Sequence, residues 1–444
     1  MNTFRFWAFF AVFLCPSAWA QPTHEFQLDN GLRIIVREDH RAPVVVSQVW
    51  YKVGSSYEHG GITGISHLLE HMMFKGTPKH PAGEFSRIIS EHGGRENAFT
   101  GKDYTAYFQT LKNEHLEVSF ELESDRMRNL SLPEEEFNKE RDVVMEERRL
   151  RTEDNPKALA YERFNAIAYL NSPYRQPIIG WMTDLKALTL ADLKTWYRTW
   201  YAPNNATLVV VGDVDPEEVL ALARKYYGPL KPSVIPSLKP RKEVPHHGPR
   251  TLELRDLPAE VPYLIMGFPV PVLKTAGEPW EAYALQVVQA ILDGGGSARF
   301  ARHLVRGKEV AAAVSASYDL YARLDSQFIF DGIPADGHTL EDLEKALWEE
   351  IQALKEEPVS PGELQRVKTQ VKAERIYARD SMFYQAMKIG LLVTVGLDWR
   401  LLDEWAERIQ AVTPEQVMKV ARKYFVRNRL TRAHLFPKEE GHDH

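Results

Sequence analysis

Two histidines and a glutamate fall within five residues, as His67, Glu70 and His71 in the pattern H-x-x-E-H. Residues four apart on an α-helix lie about 40° from each other around its axis, so a helix here would project both imidazoles from one face. Two neutral imidazoles so placed can hold a zinc ion. Glu70 would lie beside the ion without binding it, ready to take a proton from a water that the metal activates. The pattern therefore predicts a hydrolytic zinc site.

The residues around this trio indicate that its helix is buried. The apolar neighbours are Leu68, Leu69, Met72, Met73 and Phe74. A histidine pair at helical spacing is usually exposed or satisfied within a core. Burying two imidazoles and a carboxylate without partners is costly, however, and a metal would supply the partner.

A tetrahedral catalytic zinc site needs a third protein ligand and an open position. An acidic, helical stretch further along the chain offers two candidates, Glu140 and Glu147. They are two helical turns apart and share a face with Val143 and Val144, which we expect to be apolar and buried. Glu146 lies about 100° from Glu147 around the helix and points elsewhere. Spacing alone does not choose between Glu140 and Glu147.

The chain resembles the pitrilysin family (M16) of inverzincin zinc peptidases, in the two-domain branch that includes the β subunit of the mitochondrial processing peptidase. The matching runs are residues 67–77 and 140–147, and the resemblance extends over the whole mature chain. In the family, the third zinc ligand is a glutamate that falls on Glu147, and a second glutamate that supports the site falls on Glu140. The resemblance thus implies one zinc ion per chain and the general-base role for Glu70.

The resemblance also implies how a peptide would bind. The segment 93–100 resembles the family's strand that pairs with the substrate backbone, so substrate contacts are expected at Asn97, Ala98 and Phe99. A further contact is expected at Arg306, which occupies the position of a family arginine. Extended or unfolded peptides are the expected substrates, because backbone pairing selects for an extended chain.

The sequence departs from the family at one position. In full catalytic units a tyrosine follows the arginine by seven residues, but here that position is Ala313. An alanine side chain cannot donate a hydrogen bond to an oxyanion. Either Tyr318 substitutes from a shifted position, or another chain supplies the group. The expected assembly is a homodimer, or a heterodimer with a homologous two-domain subunit that carries the arginine–tyrosine pair.

The N-terminus has the features of an export signal. A basic start, an apolar run over 6–14 and the small-x-small site Ala18-Trp19-Ala20 predict a signal peptide over residues 1–20, cleaved before Gln21. The only cysteine, Cys15, lies inside it, so the mature chain has no thiol. No other stretch is apolar and long enough to span a bilayer. The expected location is the periplasm or the extracellular medium.

Composition and proline content divide the rest of the chain. The 444 residues, 44% hydrophobic and 26% charged, suit two or three domains, and the net charge of −6 gives no indication of nucleic-acid binding. A proline-rich linker is expected over 229–250. It separates an N-terminal zinc-binding domain over 21–228 from a C-terminal domain over 251–437, which is followed by a tail over 438–444.

The two halves are expected to be homologous. Residues 188–207 and 412–431 align at a constant offset, each with a threonine-capped helix, an aromatic pair and an asparagine. Strands interleaved with long helices predict an α+β fold of two α/β sandwich repeats, and the second repeat lacks H-x-x-E-H. Strands are expected over 32–37, 44–53, 104–110, 207–213 and 261–267. The linker pair His246-His247 is expected to face solvent.

The function predicted from these features is that of a zinc metalloendopeptidase. One alternative is a non-catalytic scaffold or binding subunit of a peptidase complex that keeps the metal for structural reasons. The presence of Glu70 argues against this alternative, because a structural metal site has no use for an adjacent base. A second alternative is a zinc hydrolase that acts on a non-peptide bond; only the family resemblance argues against it.

Overall fold

Two β-sheets, one in each half of the chain, carry the architecture. A computed structural model describes residues 22–239 and 241–438, apart from the side chains of 374–379. The expected signal peptide, including Cys15, lies outside the described residues. The sheets form because runs of β-branched residues, such as Val44–Tyr51, alternate with long amphipathic helices.

The first sheet has six strands in the order β1-β2-β6-β3-β5-β4. Its strands are β1 Thr23–Gln27, β2 Arg33–Glu38, β3 Val44–Tyr51, β4 Arg95–Thr100, β5 Thr105–Lys112 and β6 Ala206–Gly212. Only β2 and β6 run parallel; the other neighbours are antiparallel. Strand β4 is at an edge, so one side of its backbone is free of strand partners within this sheet.

The second sheet has five strands in the order β7-β11-β8-β10-β9. Its strands are β7 Arg250–Leu254, β8 Tyr263–Val270, β9 Ala311–Ser317, β10 Ser326–Pro334 and β11 Thr431–Leu435. Again a single parallel pair, β7 with β11, lies in an otherwise antiparallel sheet. The connectivity of the first sheet is thus repeated without a counterpart of β1, and the predicted α+β class is confirmed.

Fourteen α-helices are assigned within the described part of the chain. In the first half they are α1 Ile65–Met72, α2 Glu84–Glu91, α3 Leu116–Asn129, α4 Glu134–Arg148, α5 Pro156–Ala168, α6 Met182–Ala187, α7 Leu190–Trp200 and α8 Pro216–Tyr226. In the second half they are α9 Pro279–Asp293, α10 Leu340–Glu356, α11 Pro361–Arg379, α12 Met382–Thr394, α13 Leu401–Ala411 and α14 Pro414–Tyr424. Thr189 and Thr413 cap α7 and α14 with matching capping boxes.

The halves exchange one helix each, which the sequence did not indicate. Helix α5 of the first half packs on β7, β8 and β11, and α12 of the second half packs on β3 and β6. Both contacts are close: a Cβ at Gly267 would lie 2.4 Å from the Phe164 ring, and one at Gly390 would lie 2.1 Å from the Trp50 ring. Each sheet therefore completes its core with a helix from the other half.

Two further expectations concern the linker and the membrane. His246, predicted to face solvent, instead has both ring nitrogens buried and lines a cavity of about 420 Å³ between the linker and the second half, whereas His247 is exposed. This prediction was wrong for His246 because the linker packs against the segment that follows α5, where Glu243 accepts hydrogen bonds from the backbone of Leu170 and Ser172. Across 22–239 and 241–438, no helix is long and apolar enough to cross a membrane.

Candidate active site

The short helix α1 carries the trio and is anchored at its start by a buried acid. The carboxylate of Glu58 accepts hydrogen bonds from the backbone N–H groups of Gly64, at 2.8 Å, and Ser66, at 2.9 Å. Gly64 has a φ of 89°, which glycine adopts without strain, and a Cβ there would lie 2.6 Å from the carbonyl oxygen of Ile179. Leu68 is among the α1 side chains that are fully buried. The helix is thus held firmly, as its apolar sequence predicts.

Helix α4 brings a carboxylate to the two imidazoles. The carboxylate of Glu147 lies 3.9 Å from Nε2 of His67 and 3.4 Å from Nε2 of His71. One donor atom from each of the three side chains lies within 4.8 Å of the other two. Within the described residues, no other three histidine, cysteine or acidic side chains are grouped in this way. The geometry therefore selects Glu147 over Glu140 as the third member of this cluster.

Glu140 lies on the other side of the His71 ring. Its carboxylate is 3.1 Å from Nδ1 of His71, and its second oxygen is 2.5 Å from Nζ of Lys75. With Nε2 facing Glu147, this contact leaves Nδ1–H to donate to Glu140. Such a bond fixes the ring orientation and tautomer of a metal-binding histidine.

The expectation that Val143 and Val144 share a buried apolar face was wrong. Val144 is fully buried, but Val143 is 48% exposed, so the two valines do not form a common apolar face. The position of Glu147 instead follows from its place at the end of α4. The chain there continues into a π-helical turn over Arg149–Glu153, which returns Arg151 to within 2.6 Å of the Glu147 carboxylate.

Glu70 is not a member of this cluster, and its side chain faces strand β4. Its carboxylate accepts a hydrogen bond from the hydroxyl of Thr100, the last residue of β4. Burial raises the pKa of Glu70, although the Thr100 hydrogen bond opposes the shift. A carboxylate with a raised pKa beside an edge strand suits a group that accepts and later returns a proton.

The electrostatics and chemistry of the cluster fit a zinc ion. Burial, followed by the neighbouring His71, lowers the pKa of His67 to about 3, so its imidazole is neutral at physiological pH. Two neutral imidazole nitrogens and one carboxylate oxygen are a ligand set found in catalytic zinc sites. The converging Nε2 atoms of both histidines point toward the carboxylate that would complete the set.

The metal cluster lies in a groove of about 780 Å³. Asn97, Ala98 and Phe99 of β4 line it together with His67, Glu70, His71 and Glu147. Side chains of α5, among them Tyr161 and Asn165, also line the groove. The structure therefore brings the expected β4 residues and the metal cluster into one groove.

The second-half residues do not join this groove. Among the described residues that line it, neither Arg306 nor Ala313 is present; Nη2 of Arg306 donates to the carbonyl of Gly296 at 2.5 Å. The Tyr318 hydroxyl donates to the carbonyl of Pro271 at 2.8 Å, and its ring stacks on Phe328. Arg306 therefore lies outside the lining of this groove, and its contact with substrate stays a prediction. Substitution by Tyr318 is wrong, because that side chain belongs to the core of the second half.

Sequence reasoning missed several residues at the site. Thr100 was included in the substrate strand but not identified as the partner of Glu70, and Arg151 and Lys102 were not considered. Tyr161 was missed because α5 reaches the groove only through the exchange of helices. Thr100 alone had a usable signal, since it ends a strand that the family resemblance had already placed at the site.

Comparison with known proteins identifies the protein family. The family profile described as "Insulinase (Peptidase family M16)" matches residues 33–181, and the profile "Peptidase M16 inactive domain" matches residues 187–371. Together they span most of the chain. The chain belongs to peptidase family M16. The first match contains the H-x-x-E-H motif and Glu147, and the second falls largely on the half that lacks this motif.

Several relatives are named zinc proteases. The chain is 33% identical to the zinc protease PqqE of Helicobacter pylori over 423 residues, covering 94% of this chain and 93% of that protein. It is 27% identical to the uncharacterized zinc protease YmxG of Bacillus subtilis, covering 90% and 95%.

Solved structures share the fold. A protease from Helicobacter pylori superposes with a TM-score of 0.88 at 31% identity, covering 94% of this chain and 100% of that one. The periplasmic protease PqqL of Escherichia coli gives a TM-score of 0.78 at 21% identity, covering 95% of this chain and 48% of that one. At that identity, the second likeness shows the fold alone.

Proposed function

We propose that this M16 protein is a zinc-dependent metalloendopeptidase that hydrolyses extended or unfolded peptides. The observation that carries the proposal is the convergence of His67, His71 and Glu147 next to a separate carboxylate, Glu70, in a groove bordered by an edge strand. The names of the relatives support both the metal and the reaction class.

The roles of the side chains follow from their positions. His67, His71 and Glu147 would hold zinc, which when bound would acidify a water and polarise a carbonyl. Glu70 accepts the proton of the attacking water and delivers it to the leaving amine. Thr100 holds the Glu70 carboxylate in place through its hydroxyl.

Strand β4 gives the substrate its direction and conformation. Its free backbone edge can pair with an extended peptide, which would then lie along Asn97–Thr100 beside Glu70. Pairing through the backbone requires an unfolded or flexible segment and places weak demands on most substrate side chains. This favours peptides and unfolded chains over folded proteins.

The proposal is tested by Glu70→Gln. Glutamine keeps the size of the side chain but cannot take a proton, so zinc content should stay near one ion per chain while turnover falls by about 10²–10⁴-fold. Zinc is measured by elemental analysis and turnover with quenched fluorescent peptides. Near-normal peptide cleavage by the zinc-loaded variant would refute the role of Glu70, and a non-catalytic scaffold would show no cleavage even in the wild type.

We further propose that a second subunit completes the site. The groove contains neither Arg306 nor a tyrosine at position 313, and Tyr318 is engaged elsewhere. A homologous subunit with the arginine–tyrosine pair would supply an oxyanion donor, whose loss typically costs about 10²–10³-fold in turnover. The purified chain should therefore be slow alone and faster with such a subunit; full activity as a monomer contradicts this.

We also propose export to the periplasm or the medium. The support is the order of basic, apolar and small residues over 1–20.

A further inference from the structure

Lys102 is the one lysine that lines the groove, among the residues that the structure describes. It follows β4 by two residues, just beyond the Thr100 that bonds Glu70. Its Nζ lies 5.0 Å from the centre of the Tyr174 ring and 5.7 Å from that of Tyr169. Burial of the ammonium group lowers its pKa, so the surrounding protein does not solvate this charge well.

The backbone around Lys102 is rigidly placed. Its carbonyl accepts a hydrogen bond from the N–H of Ser56 at 2.8 Å, and the preceding carbonyl accepts one from Ser55 at 3.2 Å. The next residue, Asp103, is buried and bonded to Nε of Arg323 at 3.0 Å, which ties this loop to the second half. A charged side chain on such a fixed loop is preorganised for a ligand.

The acids nearest to Lys102 do not neutralise it. Within the described residues, Lys102 has no ion pair at 4.0 Å or less. Asp103 and Asp319 act on it only from beyond that distance. The carboxylate of Asp103 is already engaged by Arg323, Tyr174 and Ser56.

Apart from Glu70, which bonds to the Thr100 hydroxyl, the acids that line the groove are already paired with other cations. Arg151 pairs with Glu147 at 2.6 Å, and Glu162 is held by two bonds from Arg148, at 2.7 and 3.0 Å. Arg175, which also lines the groove, donates only to a backbone carbonyl at 3.3 Å in the described structure. A zinc ion on the cluster would make the groove more positive still.

We propose that Lys102 forms a specificity subsite for a substrate carboxylate close to the scissile bond, with Arg175 adding to the local positive charge. This inference rests on the proposed peptidase function. A carboxylate there would gain a charge-assisted hydrogen bond, whereas a neutral side chain would leave the partly buried ammonium group without an anionic partner. The carboxylate belongs either to a Glu or Asp side chain or to the C-terminus of a short peptide.

The first experiment needs only the wild-type chain. Capped peptides with a single Glu, moved one position at a time, are compared with the same peptides carrying Gln. We expect Glu to raise kcat/KM by about 10- to 100-fold at one position beside the scissile bond. Peptides that end near that position with a free or an amidated C-terminus form a second arm. A preference for the free terminus alone identifies the chain end as the source of the carboxylate.

The second experiment uses matched lysine variants. Lys102→Met should bring the ratio of kcat/KM for the Glu peptide to kcat/KM for the Gln peptide close to one, and Lys102→Arg should retain the wild-type ratio. Lys102→Glu should reverse the charge preference, so that a peptide with Lys at that position is cleaved better than the Glu peptide. Lys112→Met is the control, because Lys112 is exposed, pairs with Glu114 at 2.7 Å and lies at the far end of β5. Its ratio should match that of the wild type.

A binding measurement separates this inference from the proposed function. On the Glu70→Gln background, the Kd values of the Glu and Gln peptides should differ as their kcat/KM values do. Equal kcat/KM values for the Glu and Gln peptides in the wild type, together with equal Kd values on the Glu70→Gln background, would overturn the carboxylate subsite and leave the peptidase intact. Failure of the wild type to cleave any peptide, both alone and with a homologous subunit that carries the arginine–tyrosine pair, would instead refute the peptidase, while the Kd ratio would still test Lys102.

Discussion

Glu140 offers a sharp test of how the metal cluster is built. Its carboxylate contacts Nδ1 of His71 at 3.1 Å and Nζ of Lys75 at 2.5 Å, so it joins the two helices that carry the ligands. Glu140→Ala removes the acceptor and leaves the His71 ring free to rotate. Losing such a partner costs about 10- to 100-fold in metal affinity, which corresponds to about 1.4–2.8 kcal/mol.

Glu140→Gln separates orientation from charge. The glutamine carbonyl still accepts from Nδ1–H, but the bond loses its charge assistance, which roughly halves its strength. We therefore expect Glu140→Gln to lose about half as much binding free energy as Glu140→Ala. Its fold-loss in zinc affinity should be roughly the square root of the fold-loss of Glu140→Ala. Lys75 would also lose its ion pair, so the melting temperature of the metal-free protein is measured alongside.

The assay is competition for zinc between the metal-free protein and a chromophoric chelator. Glu146→Ala is the matched control, because Glu146 lies on the same helix, and its exposed side chain pairs with Arg149 at 2.6 Å. If Glu140→Ala and Glu146→Ala bind zinc equally well, Glu140 does not orient His71 and the reasoning fails.

Three further outcomes are expected. Elemental analysis should find that Glu147→Gln loses most of the zinc and that Glu146→Gln keeps it. The reverse result would show that Glu147 is not the third ligand. N-terminal sequencing of protein from the native host should begin at Gln21, and an intact leader on cytoplasmic protein contradicts export. Residues 22–239 expressed alone should aggregate and bind little zinc, because the apolar face that α12 covers would be exposed. Co-expression with the remaining residues should restore both properties in gel filtration and metal analysis, and a monodisperse, zinc-binding first half would contradict the need for α12.

The local structure was largely predictable from sequence. The expected strand over 32–37 is observed as Arg33–Glu38, and the one over 207–213 as Ala206–Gly212, because β-branched runs bounded by turn residues are strong local signals. The common face of His67 and His71 was also predictable, since helical spacing fixes the relation between these two residues.

Contacts between distant segments could not be foreseen in the same way. The choice of Glu147 depends on how α4 packs against α1, and spacing alone left Glu140 equally possible. Tyr318 looked available because the sequence does not show which way a side chain near the end of a strand points. The fixing of Lys102 by Ser56 and Arg323 joins residues that are far apart in the chain, so no local pattern reports it.

Through the exchange of helices, the second half contributes to the groove although it lacks the H-x-x-E-H motif. Helix α5 packs on the second sheet through Phe164, beneath Gly267, and lines the groove with Tyr161 and Asn165. One wall of the groove is therefore anchored on the second half, while the metal cluster is anchored on the first. A change in the angle between the halves would move that wall relative to Glu70. Both halves therefore shape the groove, because α5 lines it and packs on the second sheet.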